Sequence, residues 1–231
     1  MVRSPRFGDT ARRIARADSV TVIGLGRFGN SLAMELMAGG TEVLGIDADE
    51  EIVQSLNGEL TQVVRADSTK EEALRQLAVN EFDRVVVAIG SDIQASILTC
   101  SALLDMKIPQ IWAKAVDDRH GLILEQLGVH HVIYPEKDMG RRVAHVVRGA
   151  AIDFLEIDQG YALVKTTAPK HLHGVRLGDT RIRTTYGVTI AAFQRPESAW
   201  QNADADTVLG PGDKVLIVGP TSNAEDFAQL P

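Results

Sequence analysis

The N-terminal half of the chain alternates short β-branched runs with amphipathic stretches. The first run, residues 19–24, is followed by apolar residues at helical spacing, Phe28, Leu32 and Leu36. Strands that alternate with helices favour right-handed βαβ units and a parallel sheet. The pattern therefore predicts a doubly wound, Rossmann-like α/β domain over residues 19–135. Its further strands are predicted at 42–46, 61–65, 85–89, 110–115 and 131–134, and its further helices at 50–56, 70–77, 91–104 and 119–127.

The pattern changes after this domain. A helix is predicted over 139–151, within a crossover and hinge segment of residues 136–152. The remaining residues, 153–231, are expected to form a small α+β domain, whose limited core would gain from dimerisation. One or two short helices fit between its strands and after Thr221. Those strands are predicted at 161–167, 187–193 and 214–219, separated by polar turns marked by glycine and proline.

The first 18 residues carry five arginines against two aspartates and no apolar run typical of a signal peptide. We predict a flexible basic arm over residues 1–18. Two interpretations stay open: a solvated segment, or an arm that contacts a partner or an anionic membrane surface.

Composition narrows the class of protein. The 231 residues are 45% apolar, which suits a folded globular chain, and the formal net charge is -7. A nucleic-acid-binding protein usually has a basic face, so no nucleic-acid partner is expected. The one cysteine, Cys100, cannot form a disulfide within the chain, which fits a reducing cytoplasm. No apolar stretch approaches the roughly 18 residues of a membrane span.

The strongest local signal is a GxGxxG motif between the first predicted strand and helix. Gly24 permits a tight turn, Gly26 lets the backbone approach phosphates, and Gly29 lets the helix pack close to the sheet. The helix N-terminus offers N–H groups and a positive dipole end. Asp47, at the end of the second strand, can accept hydrogen bonds from ribose hydroxyls. The alternative is a structural turn with Asp47 as a helix cap. The motif consists of Gly24, Leu25, Gly26, Arg27, Phe28 and Gly29.

Three charged residues could complete a phosphate site. Arg27 lies inside the motif, where its guanidinium either pairs with a phosphate or is a solvated surface group. Lys114 ends an apolar strand, so its ammonium either faces an anion or snorkels to the surface. Glu136 follows the last strand on the same edge. It either holds a cation that bridges phosphates or is an acid favoured by the helix dipole.

The residues that would contact an adenine are less clearly indicated. Asp67 ends the third strand, and two interpretations of it are equally supported: a contact to the adenine, or a part of the local capping of the next helix. Capping boxes are suggested by Ser68 with Glu71 or Thr69 with Glu72. Ser91 with Gln94 forms a further capping-box pair. Ligands of open α/β sheets bind at the carboxyl edge, where the fourth strand ends in Ala88, Ile89 and Gly90.

Taken together, several segments resemble the Ktr/Trk potassium-uptake regulatory subunits, whose domains are called RCK domains. The resemblance covers nearly the whole chain and is greatest to the KtrA branch. The combination of Gly-Arg-Phe-Gly, Ile-Gln-Ala-Ser and Pro-Glu-Lys-Asp-Met-Gly is specific. The matching segments are 22–29 (VIGLGRFG), 43–47 (VLGID), 87–99 (VAIGSDIQASILT), 111–115 (IWAKA), 124–128 (LEQLG) and 134–140 (YPEKDMG).

The resemblance implies a regulatory subunit and not an enzyme. Such subunits dimerise through their N-terminal halves and assemble into an octameric ring. The ring docks on the cytoplasmic face of a membrane potassium-translocating subunit. ATP and ADP compete for the glycine-rich site in the KtrA branch, whereas TrkA-like members prefer NAD(H). ATP holds the ring in the shape that opens the channel.

The resemblance also implies roles for individual residues. Arg27 reaches toward the terminal phosphate, and Lys114 contacts phosphate. Glu136 helps to hold a divalent ion, Mg²⁺, or Na⁺ between nucleotides. Asp47 and Asp49 lie by the ribose, and Asp67 and Ser68 lie by the adenine, although some KtrA-type chains have Asn-Ala there. The nucleotide-binding set that follows is Ile23, Gly24, Leu25, Gly26, Arg27, Phe28, Gly29, Asp47, Ala48, Asp49, Asp67, Ser68, Ala88, Ile89, Gly90, Lys114 and Glu136.

Some members of the family bind cyclic di-AMP at the dimer interface of the C-terminal domain, which inactivates transport. Arg183 lies near the position of the family's phosphate-contacting arginine. This part of the chain is the less similar.

Two rival functions come from other classes. An NAD-dependent dehydrogenase would need a larger substrate domain and an acid–base set, which does not stand out in the sequence. A redox-sensing transcription factor would need a DNA-reading helix pair, which the first 18 residues are too short to contain.

Overall fold

The computed structural model describes residues 18–148 and 151–231. The chain divides into two compact units, with the division after Glu136. The basic arm predicted for residues 1–18 lies, apart from Asp18, outside the described residues.

The N-terminal unit contains a six-stranded sheet in which each neighbouring pair is parallel. The strand order is β3-β2-β1-β4-β5-β6, the doubly wound arrangement that the sequence predicts. The strands are β1 Ser19–Ile23, β2 Glu42–Asp47, β3 Gln62–Arg65, β4 Arg84–Val87, β5 Gln110–Lys114 and β6 His131–Ile133. The helices are α1 Arg27–Ala38, α2 Glu50–Ser55, α3 Glu71–Gln76, α4 Ile93–Asp105, α5 Asp118–Leu127 and α6 Pro135–Val147, which continues into the second unit.

The sheet is buried on both faces because alternate side chains of its strands enter two separate apolar clusters. In β1, Ile23 packs into a cluster with Leu103, whereas Val22 packs into a second cluster with Val43. Both β1 side chains have almost no exposed surface. Such two-sided burial is why β1 and β4 read as continuous apolar runs in the sequence.

The C-terminal unit contains an antiparallel sheet of order β10-β9-β11-β8-β7. Its core packs Phe154, Val164, Ile217 and Phe227 together. The strands are β7 Asp153–Asp158, β8 Tyr161–Thr167, β9 Thr189–Gln194, β10 Gln201–Asn202 and β11 Lys214–Pro220, and the helices are α7 Ile182–Tyr186 and α8 Thr221–Ala228.

The structure corrects the sequence prediction at three elements. Strand β7 was not predicted because, as an edge strand, it buries Phe154 but alternates this residue with charged and exposed ones. Strand β10 was not predicted either, because it is only two residues long. Helix α6 begins at Pro135, where the prediction placed its start at Met139. Proline is favoured at the first helical position because its missing N–H has no helical partner there.

Candidate functional site

The glycine-rich loop joins β1 to α1 in a turn that its backbone contacts define. Gly24 has a φ of +89°, a backbone conformation in which a residue with a side chain would be strained. Its N–H donates to the Ile46 carbonyl over 2.8 Å. A Cβ at Gly24 would lie 2.9 Å from the backbone nitrogen of Ile89. The loop is therefore packed against the segment that follows β4.

Gly29 and Gly26 differ in what a side chain would meet. A Cβ at Gly29 would lie 1.8 Å from the Gly24 carbonyl oxygen, so this glycine is required for packing. Apart from its two neighbours in the chain, a Cβ at Gly26 would have no atom of the described residues within 4 Å. Gly26 is the exposed N-cap of α1, and no side chain of the described residues caps the helix there. The positive end of the α1 dipole thus faces open space.

Asp47 fastens the glycine-rich loop to the end of β2. Its Oδ2 accepts the Leu25 N–H over 2.6 Å, and its Oδ1 accepts the Asp49 N–H over 2.9 Å. The alternative of Asp47 as a helix cap is wrong, because Asp49 caps α2 by accepting the Glu51 N–H. A carboxylate has more lone pairs than these two bonds use, so Asp47 can still accept a ribose hydroxyl.

The side chains of Asp67 and Ser68 lie in different surroundings. Asp67 is exposed, and its carboxylate accepts both the hydroxyl and the N–H of Thr69, which lowers the pKa of Asp67. Ser68 is buried, and its hydroxyl forms a 2.9 Å hydrogen bond with the Thr99 hydroxyl on α4. The Ser68 hydroxyl is therefore committed to α4.

The expected capping boxes are wrong. Helix α3 begins after Lys70, and no side chain in the described ranges caps it. Helix α4 is capped by Asp92, which accepts the Ala95 N–H, and not by Ser91.

The residues that follow β4 also pack against the glycine-rich loop. The Ala88 N–H donates to the Ile23 carbonyl over 2.7 Å, which holds the ends of β4 and β1 together. A Cβ at Gly90 would lie 3.0 Å from the Lys114 Nζ, so the lysine ammonium packs directly against this glycine.

Lys114 is paired with Glu136 at the same edge of the sheet. The Lys114 Nζ lies 2.5 Å from the Glu136 Oε1 and 5.8 Å from the centre of the Phe28 ring. The Lys114 residue is only 8% exposed, so its ammonium does not snorkel to solvent. The hydrogen bond from Lys114 lowers the pKa of Glu136, and the nearby charge of Arg27 adds a smaller effect.

The remaining predicted residues have varied environments. Ile23 and Leu25 have buried side chains, so each can offer a ligand only its backbone. Arg27, at the start of α1, and Ala48, after β2, are exposed, and Phe28 is half-buried. Arg183 is exposed on α7 of the C-terminal unit.

Sequence reasoning missed two contacts that shape this edge. Thr99 holds Ser68 inward across 31 positions of the chain, for which no local signal exists. Arg65 donates through Nε to the Ala48 carbonyl and pairs with Glu50 at 2.6 Å. The position of Arg65 at the end of β3 is the signal that could have indicated it.

The part of the chain that the structure describes holds neither a metal-binding cluster nor a membrane-spanning helix. Within residues 18–148 and 151–231, no three His, Cys, Asp or Glu side chains are grouped to hold a metal ion. In the same ranges, no helix has the length and apolar character needed to cross a bilayer.

Comparison with known proteins assigns the family. Residues 20–135 match the TrkA-N domain and residues 161–230 match the TrkA-C domain. The chain is 37% identical over 207 residues to Ktr system potassium uptake protein C of Bacillus subtilis, covering 89% of this chain and 94% of that protein. The chain belongs to the Ktr/Trk family. It is also 34% identical over 200 residues to Ktr system potassium uptake protein A of Vibrio alginolyticus, covering 86% and 91% of the two chains.

Solved structures agree with the Ktr/Trk fold. The GsuK RCK domain superposes with a TM-score of 0.51 at 21% identity, over 92% of this chain and 46% of that chain. The GsuK channel bound to NAD gives the same TM-score over 93% of this chain and 38% of that one. This chain therefore spans less than half the length of each of these two chains, and the likeness shows the fold.

Alanine at each of the two glycines of the TrkA-N loop is predicted to lower stability, but by very different amounts. Gly29→Ala should lower the free energy of unfolding by about 3 kcal/mol or more, because the methyl group would overlap the Gly24 carbonyl. Gly26→Ala should cost less than about 1 kcal/mol, because alanine only replaces glycine as an N-cap. Urea denaturation of the ligand-free variants measures both, and equal losses would contradict this structure of the loop.

The Lys114–Glu136 pair predicts a dependence on pH. Because the pKa of Glu136 lies below its ordinary value of 4.5, the pair stabilises the folded state above that value. Its contribution is lost as the pH falls through the lowered pKa. Glu136→Gln should reduce the free energy of unfolding by up to about 1 kcal/mol at pH 7, since Glu136 is largely solvated. Urea denaturation should show this difference shrinking as the pH falls below the ordinary value of 4.5; a difference independent of pH would contradict it.

Proposed function

We propose that this chain is the regulatory subunit of a potassium-uptake system and that an adenine nucleotide bound at the TrkA-N glycine-rich loop sets its conformation. The observation that carries the nucleotide site is the open space over Gly26 at the N-terminus of α1. Backbone N–H groups and a positive dipole end face that space, as phosphate binding requires.

The charges around this space support a nucleotide with its phosphates at α1. Arg27 is exposed at the start of the helix, and Lys114 lies against Gly90 on the adjacent strand end. Carboxylates lie instead at the end of β2, where Asp47 can accept ribose hydroxyls and Asp49 lies beside it. In this proposal the adenine is contacted by the Asp67 carboxylate, which is exposed after the end of β3.

The potassium role rests on the Ktr and Trk relatives. Proteins that match about nine-tenths of this chain are named as potassium uptake proteins of the Ktr system. The chain acts, in this proposal, with a membrane potassium-translocating subunit at the cytoplasmic face, as dimers assembled into an octameric ring. It performs no catalysis itself.

The switching mechanism requires a difference between nucleotides. ATP and ADP shift a conformational equilibrium only if they bind its two states with different affinities, and typical coupling free energies are about 1–3 kcal/mol. The terminal phosphate of ATP supplies this difference through Arg27, together with Mg²⁺ or Na⁺ held at Glu136. NAD(H), as in TrkA-like members, is the alternative ligand of the same loop.

A second ligand is proposed for the C-terminal unit from the family resemblance. Arg183 is exposed on the short helix α7, where its guanidinium is accessible to a phosphate of cyclic di-AMP. Titration of Arg183→Ala with cyclic di-AMP tests this site separately from the glycine-rich loop.

Calorimetric titration tests the nucleotide assignment. Nucleotide-free protein is titrated with ATP, ADP, NAD⁺ and NADH, with and without Mg²⁺. Micromolar binding of ATP and ADP, with weak NAD(H) binding, is expected. Preference for NAD(H) would move the chain to the TrkA-like mechanism, and failure to bind any of the four would overturn the proposed nucleotide site.

Transport is tested in cells that lack their own potassium uptake. A potassium-translocating subunit of the Ktr type is expressed with or without this chain, and growth is measured at low potassium. The chain should raise growth and rubidium uptake. No difference between the two strains would contradict a regulatory role.

Arg27→Ala should reduce the ratio of ATP to ADP affinity more than it reduces ADP affinity. The reason is that the guanidinium contacts the terminal phosphate, which ADP lacks. Arg119→Ala is the matched control, because Arg119 is also an exposed arginine in the first turn of a helix, α5. Equal losses of ATP and ADP affinity in Arg27→Ala would contradict the terminal-phosphate mechanism.

A further inference from the structure

Lys114 is a buried cation that depends on a neighbouring anion. Its side chain is 10% exposed, and its Nζ lies 2.5 Å from the Glu136 Oε1. An ammonium shielded from water is less stable in a folded protein without an anionic or hydrogen-bonding partner. An anion next to Lys114 is therefore favoured whether or not a ligand is bound.

Glu136 does not depend on Lys114 in the same way. Its side chain is 65% exposed, and it lies in the first turn of α6. A carboxylate released at this position is readily hydrated, and it stays at the helix end that favours negative charge. The pair is thus asymmetric: Lys114 needs an anion, whereas Glu136 can be exchanged for another one.

The Lys114 ammonium also lies beside the elements that frame the glycine-rich loop. It packs against Gly90 after β4 and lies 5.8 Å from the ring of Phe28, the second residue of α1. A phosphate at the N-terminus of α1 would therefore lie near the same ammonium that Glu136 now holds.

We infer that Glu136 is an internal counter-ion of Lys114, that a nucleotide phosphate displaces it, and that this exchange releases the first turn of α6. The inference rests on the proposed nucleotide site and adds its regulation. Helix α6 leads out of the N-terminal unit, which divides from the second unit directly after Glu136. Phosphate binding is thereby transmitted to the segment that joins the two units.

The exchange also sets an order of binding for a cation. While Glu136 is bonded to Lys114, the lysine ammonium occupies the place of a cation on its carboxylate. After displacement, the free carboxylate lies near bound phosphates, and the two negative charges repel each other unless a cation lies between them. A cation therefore binds at Glu136 after the nucleotide has bound, and not before it.

Titration with ADP in EDTA measures the exchange without any divalent ion. Glu136→Gln removes the competing charge, so it should tighten ADP binding by roughly three- to tenfold relative to the wild type. Asp138→Asn is the control, because it removes one exposed negative charge from the same turn of α6. It should change ADP affinity less than about twofold. Unchanged or weaker ADP binding by Glu136→Gln would overturn the inference.

Simple repulsion between Glu136 and phosphate would also tighten ADP binding in that variant. Lys114→Met separates the two explanations, because methionine keeps a similar length and volume without the charge. In the Lys114→Met background, Glu136→Gln should tighten ADP binding clearly less than it does in the wild-type background, since only the repulsion between Glu136 and phosphate remains to be removed and no internal pair is broken. Tightening of the same size in both backgrounds would show repulsion alone and overturn the exchange.

Thermal unfolding gives an independent readout. Ligand-free Glu136→Gln should melt below the wild type, because Lys114 loses its anion, and saturating ADP should remove the difference. A difference that persists with ADP would contradict the displacement. A wild type that binds neither ADP nor ATP would instead overturn the proposed function, and this inference with it.

Discussion

The closeness of α1 to the end of β1 is the constraint on which the rest of the site depends. Only hydrogen fits at Gly29, where a Cβ would come within 1.8 Å of the Gly24 carbonyl oxygen. This contact turns the chain sharply and brings the helix N-terminus to the carboxyl edge of the sheet. Asp47 then fixes the turn by accepting the Leu25 N–H, and Ala88 ties the neighbouring strand to β1. The open space over Gly26 is a consequence of these three contacts.

The parallel topology explains why the other polar groups gather at the same place. All six strands run in one direction, so their carboxyl ends lie on one edge of the sheet. Asp47 and Lys114 end their strands there, and Asp67, Gly90 and Glu136 follow shortly after theirs. The cations Arg27 and Lys114 lie near α1 and β5, with Lys114 paired to Glu136, whereas Asp47 and Asp67 lie at the ends of β2 and β3, where Arg65 is paired with Glu50. This separation fits a ligand with phosphates at one end and a ribose at the other.

The sequence was sufficient for the N-terminal fold because its strands are buried on both faces and its helices follow a clear period. It failed at β7, since an edge strand with one buried residue has no such pattern. It also failed at the caps of α3 and α4, where several Ser, Thr and Asp residues compete locally and only the final geometry selects Asp92. The inward position of Ser68 depends on Thr99, a contact across the fold that local sequence does not encode. The Lys114–Glu136 pair joins residues that were each predicted as ligand contacts, but their mutual bond required the structure.

The most direct test of the central claim uses the glycine that packing does not require. Binding of ADP to Gly26→Ala is measured by calorimetry alongside the wild type and Gly140→Ala. Gly140 is a suitable control because a Cβ there also has no described atom within 4 Å beyond its chain neighbours and the nearby backbone of its own helix. If phosphates occupy the space over Gly26, Gly26→Ala should bind ADP at least about tenfold more weakly, with Gly140→Ala unchanged. ADP affinity that survives Gly26→Ala intact would show that this space is not the phosphate site.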